Sequence, residues 1–246
     1  MSKVVSKNGP RGSFPVRAVL AAVFMTAVLL TAAPSAKAQT KDDFAIWTAL
    51  FFTGQAFHDA KSPTFWFDAH ARRSDAGTLL ILRPGLGYAF APWVSIWAGY
   101  AWTPFFLDET STRVDTQGVW EQLTFNYRGA PRLALQSRTR FEQFWSDAGS
   151  GMFPRFRQFV RANVRPSESV PVGLALWDEV FVGLKAPSWG QTGFLENRIF
   201  AGMAIFGAKK RFRVEPGYMF VNVTRGSAKL LSHVLAINLF VTFKPK

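Results

Sequence analysis

Residues 232–243 constrain the chain more than any other stretch. Leu235, Ile237, Leu239, Val241 and Phe243 share one face at a period of two, and Ala236, Asn238, Phe240 and Thr242 share the other. The first face is much the greasier, so the segment reads as a strand that meets two different environments. Near a C-terminus, in a chain that opens with an export signal, this is the pattern of the closing strand of a bacterial outer-membrane barrel. The expected fold is all-β: a transmembrane, antiparallel, up-and-down β-barrel whose strands pair in chain order.

The export signal is residues 1–38. Lys3, Lys7, Arg11 and Arg17 make a basic leader, residues 18–33 are apolar or small, and Ala36-Lys37-Ala38 fits a small-x-small cleavage site. The apolar run falls short of the roughly 20 residues a spanning helix needs. Cleavage after Ala38 is therefore expected, leaving residues 39–246 as the barrel.

The leader holds five of the 29 Lys and Arg and none of the 16 Asp and Glu, so the remainder carries 24 against 16, a net charge of +8. Nucleic acid is not an expected partner of an exported chain. The anions it would meet are lipid headgroups and small solutes. The sequence has no cysteine, which excludes disulfides, thiolate metal sites and cysteine nucleophiles. No cofactor is expected. After residue 38 no stretch is a spanning helix, so only a closed barrel could satisfy its backbone within a bilayer. The nine Trp and 25 Phe suit either a large core or the lipid-facing band and girdles of a barrel.

Eleven segments alternate at period two: 44–53, 64–72, 78–90, 94–103, 119–128, 132–143, 153–164, 172–184, 194–206, 212–221 and the closing strand. Bacterial single-chain barrels have even strand numbers, so the expected count is twelve, with ten as the fallback. Connections 104–116, 146–151, 185–193 and 224–229 are expected to be long extracellular loops, and 129–131, 166–171 and 207–210 short periplasmic turns.

Opposite the apolar faces runs a polar stripe: Arg83, Gln122, Arg128, Gln136, Arg138, Arg140, Glu142, Arg155, Arg157, Arg161, Glu179, Glu196, Arg198, Arg213 and Glu215. Closing the sheet would converge these in the lumen. A turn centred on Ala130 would set Gln122 opposite Arg138. Two roles are open to the stripe. Arg and Glu can interlock as interior fill, since small barrels fill with side chains and buried charges must pair. Or the excess of Arg can bind or pass small anions. Glu121 and Asp178 fall in phase with apolar neighbours, which requires a strand end or a bulge.

Enzyme signals are thin. Ser232 and His233 are adjacent and must point to opposite faces. Asp68 and His70 share a face, but no serine accompanies them at useful spacing. Asp42-Asp43 and Asp108-Glu109 read as solvated acids. No catalytic or metal-binding residue is assigned, and the expectation is a non-enzyme.

Several short motifs carry a family resemblance: residues 43–48 (DFAIWT), 82–88 (LRPGLGY), 176–181 (LWDEVF), 197–202 (NRIFAG) and 213–219 (RVEPGYM), followed by the ending 233–239. The chain resembles an uncharacterised family of proteobacterial outer-membrane barrels, a domain of unknown function. The resemblance implies a barrel and no established activity. The terminal Lys244-Pro245-Lys246 departs from barrels that end on the aromatic itself. Outer-membrane lipids and the barrel-assembly machinery, reached through the closing strand, are the expected partners of a monomer. The role expected is structural, or a narrow channel or binding barrel for small anionic solutes. The rivals are an outer-membrane lipid-modifying enzyme and a soluble periplasmic lipid-binding barrel with its apolar faces turned inward.

Overall fold

The computed structural model describes residues 40–57, 61–130, 132–167, 169–207 and 211–243, without the side chains of 128–130. The expected signal segment and the terminal Lys244-Pro245-Lys246 lie outside the described residues. So does the side chain of Arg128.

Eleven strands close into one barrel: β1 (Thr40–Gln55), β2 (Ser62–Ser74), β3 (Gly77–Ala91), β4 (Val94–Leu107), β5 (Arg113–Ala130), β6 (Leu133–Ser146), β7 (Phe153–Val164), β8 (Val172–Gly183), β9 (Gly193–Phe206), β10 (Phe212–Arg225) and β11 (Ala228–Phe243). Strands neighbouring in sequence pair antiparallel. The closing pair is parallel: Thr40 faces Lys229 and Gly54 faces Phe243.

That pairing corrects the expected count of twelve. An odd number of alternating strands leaves the first and last running the same way, and a parallel ladder joins them without a further strand. Residues 44–53, ambiguous because both faces are apolar, are the core of β1, whose two edges are paired to β2 and β11.

The connections also depart from expectation. Most of 104–116 is strand, leaving 108–112 as the link, and 224–229 shrinks to the two residues 226–227. Gly226 takes a positive φ of 59° there, which a tight hairpin turn requires of its first residue and which glycine adopts without strain. Links at the rim where β11 ends, called here the C-terminal rim, are as long as those at the opposite rim. The long–short alternation disappears because the strands extend into the expected loops.

The faces differ sharply, although a polar set of Ser137, Thr139, Gln158, Asp178 and Asn197 interrupts the outward face of β6–β9. Outward positions carry large apolar side chains exposed to the surroundings, such as Leu86 at 74%, with Ile96, Leu174, Met203, Leu235 and Ile237. Inward positions carry Asp68, Arg83, Arg140, Glu142, Arg157, Glu179 and Glu215, all buried. Two apolar clusters share the interior with the charges. Phe200, Met219, Val221 and Val234 fill the side made by β1 and β8–β11, and Ala101, Trp120, Phe144 and Phe153 fill the side made by β4–β7. The ring of Trp120 occupies the space that side chains on Gly85 and Gly99 would need.

The candidate site in the lumen

Period-two spacing delivers the site. On β6, Arg138, Arg140 and Glu142 point inward, and on β7 Arg155, Arg157 and Arg161 do the same. The register then sets Glu142 beside Arg155 and Arg140 beside Arg157. Gln122 lies opposite Arg140, not Arg138 as a turn centred on Ala130 requires, because the ladder from Thr116 to Tyr127 is symmetric about a point one residue further along the chain. The slip is two residues, so the faces are preserved.

Apart from Arg128, whose side chain is not described, the twelve other charged residues of the stripe face the interior, and most interlock. Glu142 accepts from Arg155 Nη2 and Arg157 Nη1, each at 2.6 Å, with Arg140 Nη1 3.7 Å away. Arg157 reaches on to Glu179 Oε1 at 2.8 Å, where Arg138 also donates at 2.8 Å. Arg198 lies 3.7 Å from Glu179 and donates to Glu196. Glu215 takes Arg161 and Arg213 together. Arg83 is held by Asp68 at 2.6 Å. Aromatic faces carry several of the cations: Arg140 lies 4.3 Å over Trp120, and Arg157 and Arg198 lie 4.5 and 4.3 Å over Phe181.

The charges do not balance. Between the rims the interior holds nine arginines, the eight lumen-facing arginines named from the stripe plus Arg72, against the six carboxylates Asp43, Asp68, Glu142, Glu179, Glu196 and Glu215. That is a surplus of three positive charges in a space closed off from bulk water, where charge without a counter-charge is costly.

The interior is not filled evenly. A cavity of about 630 Å³ opens at the C-terminal rim, lined there by Gln55, Ala91, Asn126, Gln136, Phe206 and Phe243. Its walls are Trp47, Phe51, Trp66, Trp97, Phe159, Trp177 and Phe240, and its charged lining includes Arg72, Arg83, Arg138, Arg157, Arg161, Arg198, Arg211 and Arg213 with Glu179 alone as carboxylate. Toward the opposite rim, Arg140, Glu142, Arg155, Trp120, Phe144, Phe153 and Phe181 lie outside the cavity lining and pack against one another. The cavity is therefore blind. Its rim is basic as well: the described links there carry Lys61, Arg132, Arg165 and Arg211 and no carboxylate.

Other polar groups find local partners. His70 lines the cavity and meets Asp68 Oδ2 at 2.6 Å and Arg83 Nη2 at 2.9 Å, and no hydroxyl among the described residues bonds to it. Ser232 points inward toward Asp43, while His233 points outward and bonds to the Tyr218 hydroxyl at 2.7 Å. Asp178 faces outward and accepts from Asn197 Nδ2 at 2.9 Å. The nearest register shift on β8 comes later, between Phe181 and Val182, so neither a bulge nor a strand end explains it. Glu121 is exposed on the same outward face. Among the described residues there is no cluster of metal-ligating side chains.

The sequence reading missed Arg72, Asp68 and the tryptophan walls as parts of one site. Their signal was present on β2, where Trp66, Asp68, His70 and Arg72 alternate inward, but aromatic and charged residues mixed on one face do not stand out as a polar stripe.

Fold and site together define a class: a closed, apolar-faced barrel with an arginine-rich lumen. Residues 44–230 match the family described as "Protein of unknown function (DUF2490)", and the chain belongs to that family. It is 31% identical over 168 residues to an uncharacterized protein of Methylorubrum extorquens, covering 67% of this chain and 72% of that one. No solved structure matches.

Proposed function

We propose that the chain is an outer-membrane β-barrel that binds a small anionic solute in a blind vestibule and does not conduct through its length. The observation that carries this reading is the inside-out distribution of side chains: largely apolar faces outward, and buried, mutually bonded charges inside with a cationic surplus. An apolar outer band suits hydrocarbon and every strand edge is paired, which is what a bilayer demands. With the end of β11 on the periplasmic side, the vestibule mouth faces the periplasm. Its basic rim then draws anions inward.

Two experiments test this. Membrane fractionation with gel migration before and after boiling is expected to place the chain in the outer membrane as a heat-modifiable band. Recovery in the soluble periplasm would overturn the reading. Planar-bilayer recording of the purified barrel is expected to show no stepwise conductance, because the Glu142–Arg157–Glu179 network and the Trp120 cluster fill the section beyond the cavity. Sustained unitary steps would make it a channel.

A further inference from the structure

We propose that the solute is an aromatic acid, a flat apolar body with one anionic group, that enters head first and places its anion on Arg72. The inference rests on the anion-vestibule reading and names its ligand class.

Arg72 is the cavity-lining arginine that leaves the surplus charge most plainly unanswered. Among the described residues no carboxylate forms an ion pair with it, and its Nε is buried without a hydrogen-bond partner. What it has is a ring: its guanidinium carbon lies 4.1 Å over Trp47. Arg198 lies over the same indole at 5.0 Å, but Arg198 is answered by Glu196. Two like charges therefore share one aromatic face and one nearby carboxylate, Glu196, which bonds directly to Arg198 and acts on Arg72 only at longer range. A bound carboxylate or sulfonate supplies Arg72 with a direct partner, and the planar guanidinium fork fits such groups two oxygens at a time.

The walls define the remainder of the ligand. Trp66 sits six residues nearer the mouth than Arg72 on the same strand and meets Trp97 edge to face at 5.7 Å; Trp177 also lines the cavity. A solute that reaches Arg72 must pass along these rings, which reward a flat apolar body. A volume of about 630 Å³ is that of a pocket for a small organic molecule and far exceeds an inorganic anion.

The test uses the refolded barrel in nanodiscs of zwitterionic lipid, titrated with 2-naphthoate, 2-naphthylmethanol, acetate and inorganic phosphate and read by tryptophan fluorescence and calorimetry. Naphthoate is expected to bind at least about tenfold more tightly than each of the others, and Arg72→Gln to weaken naphthoate about tenfold without changing the alcohol, the effect of about one good charged contact. Arg72→Gln must still show heat-modifiable migration. If it does not fold, Arg72→Lys takes its place and is expected to weaken naphthoate by losing the two-oxygen fork. Acetate or phosphate binding as tightly as naphthoate would sink the aromatic class while leaving the anion vestibule intact. The alcohol binding as tightly as naphthoate, or no probe binding at all, would sink both.

Discussion

The two halves of the lumen are built from the same residue types and do opposite things. Toward the rim where β11 begins, Glu142 serves Arg155 and Arg157, Trp120 fills the space left by Gly85 and Gly99, and the side chains pack against one another. Toward the C-terminal rim the arginines line open space among tryptophans; Glu179 and Glu215 hold several of them, and Arg72 lies over an indole. The rims differ in the same sense. Described links at the closed rim carry Asp75, Asp108, Glu109 and Asp147 against Lys185, whereas those at the C-terminal rim carry cations alone. An arginine-rich lumen is thus neither plug nor pore by composition. What decides is whether the space between the guanidinium groups is filled by other side chains or left open, with Arg72 at the cavity lacking a carboxylate within ion-pair distance.

Removing one charge from each half should separate them most widely. Glu142 is fully buried and serves Arg155 and Arg157 directly. Glu142→Gln should therefore cost about 3–5 kcal/mol, the penalty for stranding buried partners, seen as a lower urea midpoint for loss of the fast-migrating form. Arg72→Gln in the open half should cost nothing, or raise that midpoint in the absence of ligand, because it removes an unanswered cation from a positive interior. An equal loss in both variants would mean that the halves do not differ electrostatically.

Packing gives the next largest contrast. Gly99→Val puts a side chain where the Trp120 ring and the Pro84 carbonyl already lie, with a Cβ only 2.4 Å from the Trp120 ring. Overpacking of this kind costs about 1–3 kcal/mol. A comparable enlargement at Ala91, which borders the cavity, should be tolerated by the same assay. At the closed rim, Arg73→Ala breaks an ion pair with Asp108 whose two side chains are about half exposed. It should leave the unfolding midpoint unchanged within error at moderate salt, since solvent screens such pairs.

Much of this was legible in the sequence, for a physical reason. A strand between two environments must alternate, so the eleven strands and the inward set from Arg83 to Glu215 follow from period two alone. What was hidden depends on relations between strands. The parallel β1–β11 seam is invisible because alternation within a strand carries no record of its neighbour's direction. The β5–β6 register escaped because moving the turn centre by one residue slides the ladder by two and leaves the faces unchanged. The division into halves escaped for a third reason. Glu142 and Arg72 look alike as inward charges, and only three-dimensional register shows that one meets two arginines and the other an indole.

The absence of native cysteine permits a direct measurement of that division. Thr124 faces inward on β5 at the cavity, and Ala101 faces inward on β4 in the closed half beside Trp120. Thr124→Cys and Ala101→Cys, each purified as a folded barrel, would be treated with a water-soluble methanethiosulfonate and followed by mass. The blind-vestibule account predicts rapid modification at 124 and none at 101 until the barrel is unfolded. Modification of both at similar rates would mean that water and solute pass the whole length of the lumen, and the account would be wrong.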